Sequence, residues 1–316
     1  MKRWKVSEIQ QRIKEALPEG RVVPRHNERG HFYEVLDGKF PAPPIYPSVT
    51  GKLQILKDEG LMNYKMNKVL EYTFAHWKEF TEENIMEHIE LAERVPADNL
   101  SDAGDIGTRC HDYREAIFKD WIASGKQPDD FLAYIPEVEQ DVRAISAMRA
   151  LKRFVLERDY IPVACEVLVY SHRMKVAGTL DDIGLMKQVV RQGAIGCDGE
   201  KITDAKGYIR CLKCDLKERY QFVLMDLKTS NAFKDHYFFQ VALYWDMFRE
   251  LTGIKPERAF ILKLSKEDGT YKIEDLKRPA KIAQYARTMV KTHEGIEFIK
   301  SLRKDNQRAV APLMQL

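Results

Sequence analysis

Val223-Leu224-Met225-Asp226-Leu227-Lys228-Thr229-Ser230 is an apolar run that ends by placing a carboxylate and an ammonium two residues apart. In a strand, successive side chains alternate between faces, so Asp226 and Lys228 project together while Leu227 points into the core. Such a pair sets a metal ligand beside a water-handling amine. Apolar strands ending in Asp-x-Lys are also common as ordinary solvated strand ends, so the weight of the reading falls on the neighbouring segments.

Upstream, Val176-Ala177-Gly178-Thr179-Leu180-Asp181-Asp182-Ile183-Gly184 is a second apolar strand that delivers a carboxylate. Asp181 is expected to take its inward face and Asp182 to point away. Glu166 lies in the preceding run Val163 to Val169, and earlier still Gly107-Thr108-Arg109-Cys110-His111 is followed by Asp112-Tyr113-Arg114-Glu115. Downstream, Gln240 and Tyr244 stand four apart, on one face of a predicted helix.

In that order these elements resemble the PD-(D/E)XK nuclease superfamily and, within it, the RecB-type exonucleases. Their pattern runs Gly-x-x-x-His, Gly-x-x-Asp, Asp/Glu-x-Lys, Gln-x-x-x-Tyr. The resemblance covers roughly residues 104 to 245, and Leu180 stands where the name-giving proline would be. Tyr46-Pro47-Ser48-Val49-Thr50 also resembles a segment ahead of the core in phage-type and mitochondrial relatives of that branch.

Hydrophobic periodicity gives the organisation independently. Helices read at Ser7 to Leu17, about 61 to 79, 82 to 94, 104 to 123 and 137 to 158, the last with Pro136 at its start. Arg21 to Phe40 reads as a hairpin turning at Asp37-Gly38, and Ser48 or Thr50 can cap a helix from about Gly51. The period then changes from 3.6 to 2. Strands follow at about 162 to 171, 174 to 187 and 221 to 228, then a helix at 235 to 251, a strand at 258 to 264 and a last helix at about 279 to 303. The expected fold is α/β (α+β): a central mixed sheet flanked by helices, with a helical N-terminal region. The resemblance makes that core restriction-endonuclease-like. The expected divisions are an N-terminal region, 1–103; a nuclease core, 104–275, with an insertion of about 30 residues from Lys187 to Tyr220; and a basic helix and tail, 276–316.

The chemistry that follows is hydrolysis of phosphodiesters, which needs charge stabilisation on the phosphoryl oxygens and an activated water. Asp181 and Asp226 are hard oxygen ligands suited to Mg2+ or Mn2+, with the main-chain carbonyl of Leu227 between them. Lys228 beside the ion would orient or deprotonate the water, its pKa depressed by the neighbouring cation. The resemblance makes His111 a further metal ligand and sets Gln240 and Tyr244 near the site, on DNA and in support of Lys228. Glu166 joins the catalytic set as a ligand, direct or through water. Arg109, Glu115, Thr229 and Ser230 complete the candidate substrate contacts. Each has a competing reading: Asp181-Asp182 as a turn, His111 as a helix-face histidine, Gln240 as surface and Tyr244 as core, Thr229 and Ser230 as turn caps.

Bulk properties neither demand nor oppose this. A net charge of +3 over 316 residues is too small to announce a nucleic-acid binder, but its distribution is uneven. Lys277 to Arg308 holds nine Lys/Arg against three acids, and Glu79 to Asp105 holds nine acids against Arg94 alone. A polyanion is drawn to the first and repelled by the second, so Lys281, Arg287 and Lys291 are expected along the DNA path. Both segments also read as solvated helix faces. No apolar run is long enough for a membrane span, the N-terminus lacks the apolar core of a secretory signal, and five scattered cysteines read as reduced thiols. The expected setting is the cytoplasm, or a viral protein in host cytoplasm. Cys197 with Cys211-Leu212-Lys213-Cys214 is a candidate structural Zn2+ site without an obvious fourth ligand. An iron-sulfur cluster like that of CRISPR-adaptation nucleases fits less well, since no cysteine follows Cys214.

The expected activity is a metal-dependent DNA exonuclease acting on single- or double-stranded ends beside replication, recombination or repair proteins. The alternatives are a structure-specific or CRISPR-adaptation-type endonuclease and, from another class, a catalytically inactive DNA-binding module.

Overall fold

Three long strands of alternating or wholly apolar sequence set the frame: β4 (Tyr160–Ser171), β5 (Val176–Arg191) and β8 (Lys217–Lys228). A computed structural model of the chain describes residues 5–27, 30–56, 59–139, 141–193, 197–204 and 208–310. With β9 (Arg258–Leu264) and β10 (Tyr271–Asp275) these strands form a sheet in the order β10-β9-β8-β5-β4. All its neighbours are antiparallel except β8 and β9, which are parallel and joined by the crossover helix α6 (Asp235–Thr252). A parallel pair needs such a crossover. The fold is therefore mixed α/β, with helices on both sheet faces.

Both faces are apolar because both are covered. On one, Leu180, Ile183, Phe222, Leu224 and Ile261 pack with Val241, Tyr244, Trp245 and Phe248 of α6. Helices α1 (Val6–Ala16), α2 (Val49–Leu53) and α7 (Pro279–Val310) join that layer through Ile9, Ile13, Val49, Leu53, Ala283, Ala286 and Val290. On the other, Val223, Met225, Leu227, Phe260 and Leu262 meet α4 (Ile85–Ser124) and α5 (Val142–Arg158). The N-terminal ribbon β1 (Val22–Asn27), β2 (Gly30–Val35) and β3 (Ile45–Pro47) forms a second sheet, joined to the first by a Ser48–Ala177 bridge and by Tyr33 Oη, 3.2 Å from Thr179 Oγ1. Among the described residues no helix is long and apolar enough to cross a membrane.

Several expectations change. The two helices expected at 82–94 and 104–123 are one, α4, which runs straight through Pro96. An internal proline costs a helix about 3 kcal/mol, but Ala92 and Pro96 are both buried, so packing holds the turn. The expected division at 103/104 thus falls inside a single element, and α1 and α2 share the main core. Helix α5 starts at Val142 and not near Pro136, because Asp141 caps it by accepting the Arg143 N–H at 2.9 Å. The N-terminal hairpin pairs Asn27 with Gly30, and residues 28–29 between them lie outside the described residues. Asp37-Gly38 follows β2 instead, with Gly38 at φ 74°. Ser48 does cap α2, its hydroxyl accepting from Gly51 N at 3.0 Å. The insertion is shorter than expected, because β5 and β8 stay paired out to Arg191 and Lys217. Between them lie β6 (Lys201–Thr203) and β7 (Ile209–Cys211).

Candidate active site

Antiparallel register determines the centre of the site. Asp182 pairs with Met225, so the next step along both strands sets Asp181 beside Asp226. Asp181 Oδ2 accepts the Leu227 main-chain N–H at 2.7 Å, which ties the two strands together at the point where the carboxylates meet. Lys228 Nζ lies 2.6 Å from Asp226 Oδ2 and 5.2 Å from the centre of the Tyr237 ring.

Helix α4 brings His111 to this point, its Nδ1 3.8 Å from Asp181 Oδ1. The approach is close because Gly107 has no side chain; a Cβ there would stand 3.3 Å from Thr229 Oγ1. From the opposite side α6 presents Gln240, whose amide is 3.5 Å from Asp226 Oδ1 and 3.4 Å from Tyr244 Oη. Tyr244 in turn requires Gly178, where a Cβ would come within 2.7 Å of the ring. The Gly-x-x-x-His and Gly-x-x-Asp spacings therefore have a steric cause. In each, the glycine admits a neighbouring element to the strand that carries the acid.

Glu166 lies on β4 opposite Asp181 in register, at φ 50° in the middle of a strand. A non-glycine residue in that left-handed region costs of order 1–3 kcal/mol and persists only where the surroundings enforce it. The enforcing residue is Arg114, one that sequence reading passed over. Its guanidinium is fully buried, reaches Glu166 Oε1 at 2.6 Å, the Asp181 carbonyl at 3.0 Å and Asp182 Oδ1 at 3.1 Å, and stands 3.1 Å from His111 Nδ1. Because Arg only donates, His111 Nδ1 accepts there with its lone pair and the ring proton sits on Nε2, so a metal would take the Nδ1 lone pair in place of Arg114. Asp182 does point away from Asp181, as expected, but into this buried pair and not to solvent.

These surroundings fix the charges. Burial draws the His111 imidazole down to about 4 against the opposing pull of Asp181, so at neutral pH it is the neutral form that can ligate. Burial works to raise Asp181, but His111, Lys228 and Arg114 together hold its carboxyl below the usual range. Asp226 is pushed up to about 7 by burial, in spite of Lys228 and with Asp181 adding to the rise. Burial pulls Lys228 down, yet Asp226 and Asp181 outweigh it and keep the ammonium above its ordinary value. The protein groups alone therefore hold Lys228 charged, and the depression expected from sequence is the effect of a bound cation.

Donor atoms of His111, Glu166 and Asp181 lie within 4.8 Å of one another. One nitrogen and two hard oxygens gathered this closely make a donor set of the kind Mg2+ or Mn2+ takes. Asp226, also expected among the ligands, is not one of these three, and its Oδ2 lies 2.6 Å from Lys228 Nζ. The site opens into a cleft of about 850 Å³, walled by His31 and Tyr33 of β2, Ser48, Thr50 and Lys52 around α2, and His293 and Glu297 of α7.

Other candidates lie apart. Arg109 is bound to Glu139 at 2.6 Å and Asp141 at 3.3 Å, holding the segment before α5. Glu115 pairs with Lys119 on its own helix. Ser230 Oγ donates to the Ala232 carbonyl at 2.9 Å, and Thr229 is buried. On α7, Arg287 is tied to the buried Asp246, and neither it nor Lys281 nor Lys291 lines the cleft. Cys197, Cys211 and Cys214 gather at the far end of β8. Compared with protein-family models and with curated proteins, the chain matches none.

Proposed function

We propose that the chain is a metal-dependent DNA nuclease, an exonuclease of the RecB-type branch of the PD-(D/E)XK superfamily, serving replication, recombination or repair. One observation carries the reading: Asp181 and Asp226 stand side by side on adjacent strands, with Lys228 on Asp226 and with His111 and Glu166 on Asp181. The crossover helix with Gln240 and Tyr244 behind this group supports it.

His111, Glu166 and Asp181 would hold Mg2+ or Mn2+, which when bound neutralises phosphoryl charge and acidifies a water. The chain's own groups do the rest. Lys228 reaches the same space as Asp181 from the strand end, where its ammonium orients the attacking water and offsets charge on the phosphate. Asp226 and Tyr237 hold that ammonium in place, and Gln240 holds Asp226. Burial, with Arg114 adding to it, keeps His111 neutral, and Arg114 keeps Glu166 turned inward. Across the cleft, Lys52 offers a cation to the strand backbone.

Digestion of end-labelled linear single-stranded, end-labelled linear double-stranded and covalently closed circular DNA with Mg2+ or Mn2+ tests this. The expected result is nucleotide release from linear DNA and intact circles. Cut circles would make it an endonuclease, and binding without cleavage of any substrate would make it an inert module.

A further inference from the structure

We propose that Cys197, Cys211 and Cys214 bind one zinc ion that holds the β6–β7 ribbon, with solvent completing the tetrahedron. The site is independent of the nuclease reading. Lys217 and Lys228 lie at opposite ends of β8, about 36 Å apart at roughly 3.3 Å per residue.

The sulfurs are spaced for a single ion. Zn–S bonds of about 2.3 Å at tetrahedral angles set sulfurs roughly 3.8 Å apart. Here Cys197 and Cys211 are 3.5 Å apart, and all three sulfurs lie within 4.8 Å. Thiolates on different irons of a cluster would stand further apart. The backbone is shaped around them as well. A Cβ on Gly199 would lie 2.5 Å from Cys211 Sγ, and one on Gly193 would lie 3.0 Å from Cys214 Sγ, so both glycines make room for sulfur. Two turns aim main-chain donors at the sulfurs: Lys213 N–H donates to Cys211 Sγ at 3.4 Å, and Gly199 N–H to Cys197.

The ribbon also needs a clip. Among its described residues from Gln192 to Leu216 none is fully buried, and β6 and β7 are three residues each, too little to hold a fold without a core. Among the described residues no fourth His, Cys, Asp or Glu joins the three sulfurs. The segments 194–196 and 205–207 supply only Ala, Ile, Gly and Lys, and Asp198 is exposed and held by Lys213 at 2.9 Å. As the ion binds, each thiol gives up its proton to solvent, and no oxidant is required.

The test is zinc content of the full chain, purified from zinc-supplemented cells and washed with a mild chelator to clear hard-ligand sites. One zinc per chain is expected, released in step with modification of the three thiols by a mercurial. The cobalt-substituted protein should show thiolate charge-transfer and tetrahedral d–d absorption. Asp181→Ala should keep both signals, and C211S with C214S should lose them. If that double variant does not fold, mercurial release and the cobalt spectrum of the unaltered chain decide. Freely titrating thiols without zinc, a disulfide among the three, or zinc retained in the double variant would overturn the proposal.

Discussion

Arg114 shows how one buried residue can organise a site. Its charge is compensated from three directions, by Asp182, Asp181 and Glu166, so removing it strands carboxylates in the core. Breaking a buried pair from one side costs about 3–5 kcal/mol, and Arg114→Met should lower stability by that order in urea titration. Adding Asp182→Asn should restore part of the loss. A neutral outcome for the single variant would mean the pair is not buried as described. His111 gives a second prediction: His111→Ala should raise the Mn2+ concentration needed for half-maximal cleavage at least about tenfold, with activity recovering at high Mn2+. An unchanged metal titration would make His111 a helix-face residue only. Asp181, Asp226 and Lys228 are legible in sequence because a strand's period of two fixes their faces. Arg114 is not, because a charged residue in a polar run reads as surface. Its signal was positional: it continues the buried stripe of Ile106, Cys110, Ile117 and Phe118, one turn past His111.

Elements meet where glycines permit. Gly178→Ala would drive its Cβ into Tyr244 and push α6 off β5, at a cost of about 1–3 kcal/mol for overpacking. Because Gln240, which contacts Asp226 at 3.5 Å, moves with α6, cleavage should fall by about two orders of magnitude even where the protein stays folded. Wild-type turnover in a folded variant would uncouple α6 from the site. Helix α7 carries a different lesson. Its charge excess is plain in the sequence, but its rotation about its own axis is set by packing on α6, which periodicity does not report. Arg287→Ala should destabilise by only about 1 kcal/mol, because buried Asp246 keeps Arg249 at 2.9 Å and Arg173 at 3.3 Å, whereas Lys281→Ala with Lys291→Ala should leave the salt slope of DNA binding unchanged. Lys52→Ala should lower that slope by about one. The reverse pattern in salt titrations would return the DNA path to the outer face of α7. Strands β4 and β9 and helix α6 match their expected spans closely because each is apolar and bounded by turn residues, whereas β5 and β8 run four residues further, to Arg191 and from Lys217, through polar residues that carry no apolar signal. Strand β10, with only Tyr271 and Ile273 turned partly inward, has too weak an alternation to be read.

At the scale of the whole molecule, the cleft is made by segments far apart in sequence. The β2 strand, the segment around α2 and the C-terminal helix wall a space whose floor is the end of β5 and β8. That assembly is what sequence patterns leave out, since nothing local says that the N-terminal hairpin covers the site and does not form a separate module. The central claim is narrower than the architecture: Asp226 and Lys228 cleave DNA with a divalent ion. The most direct measurement is single-turnover cleavage of end-labelled linear DNA in Mg2+ and in Mn2+ by the unaltered chain, Asp226→Ala and Lys228→Ala, each checked for folding and DNA binding. The account predicts ion-dependent cleavage by the first, and rates lower by at least about 10²–10⁴-fold in each variant with binding largely kept. Near-normal cleavage by both folded variants, or no cleavage by the unaltered chain in either ion, would contradict it.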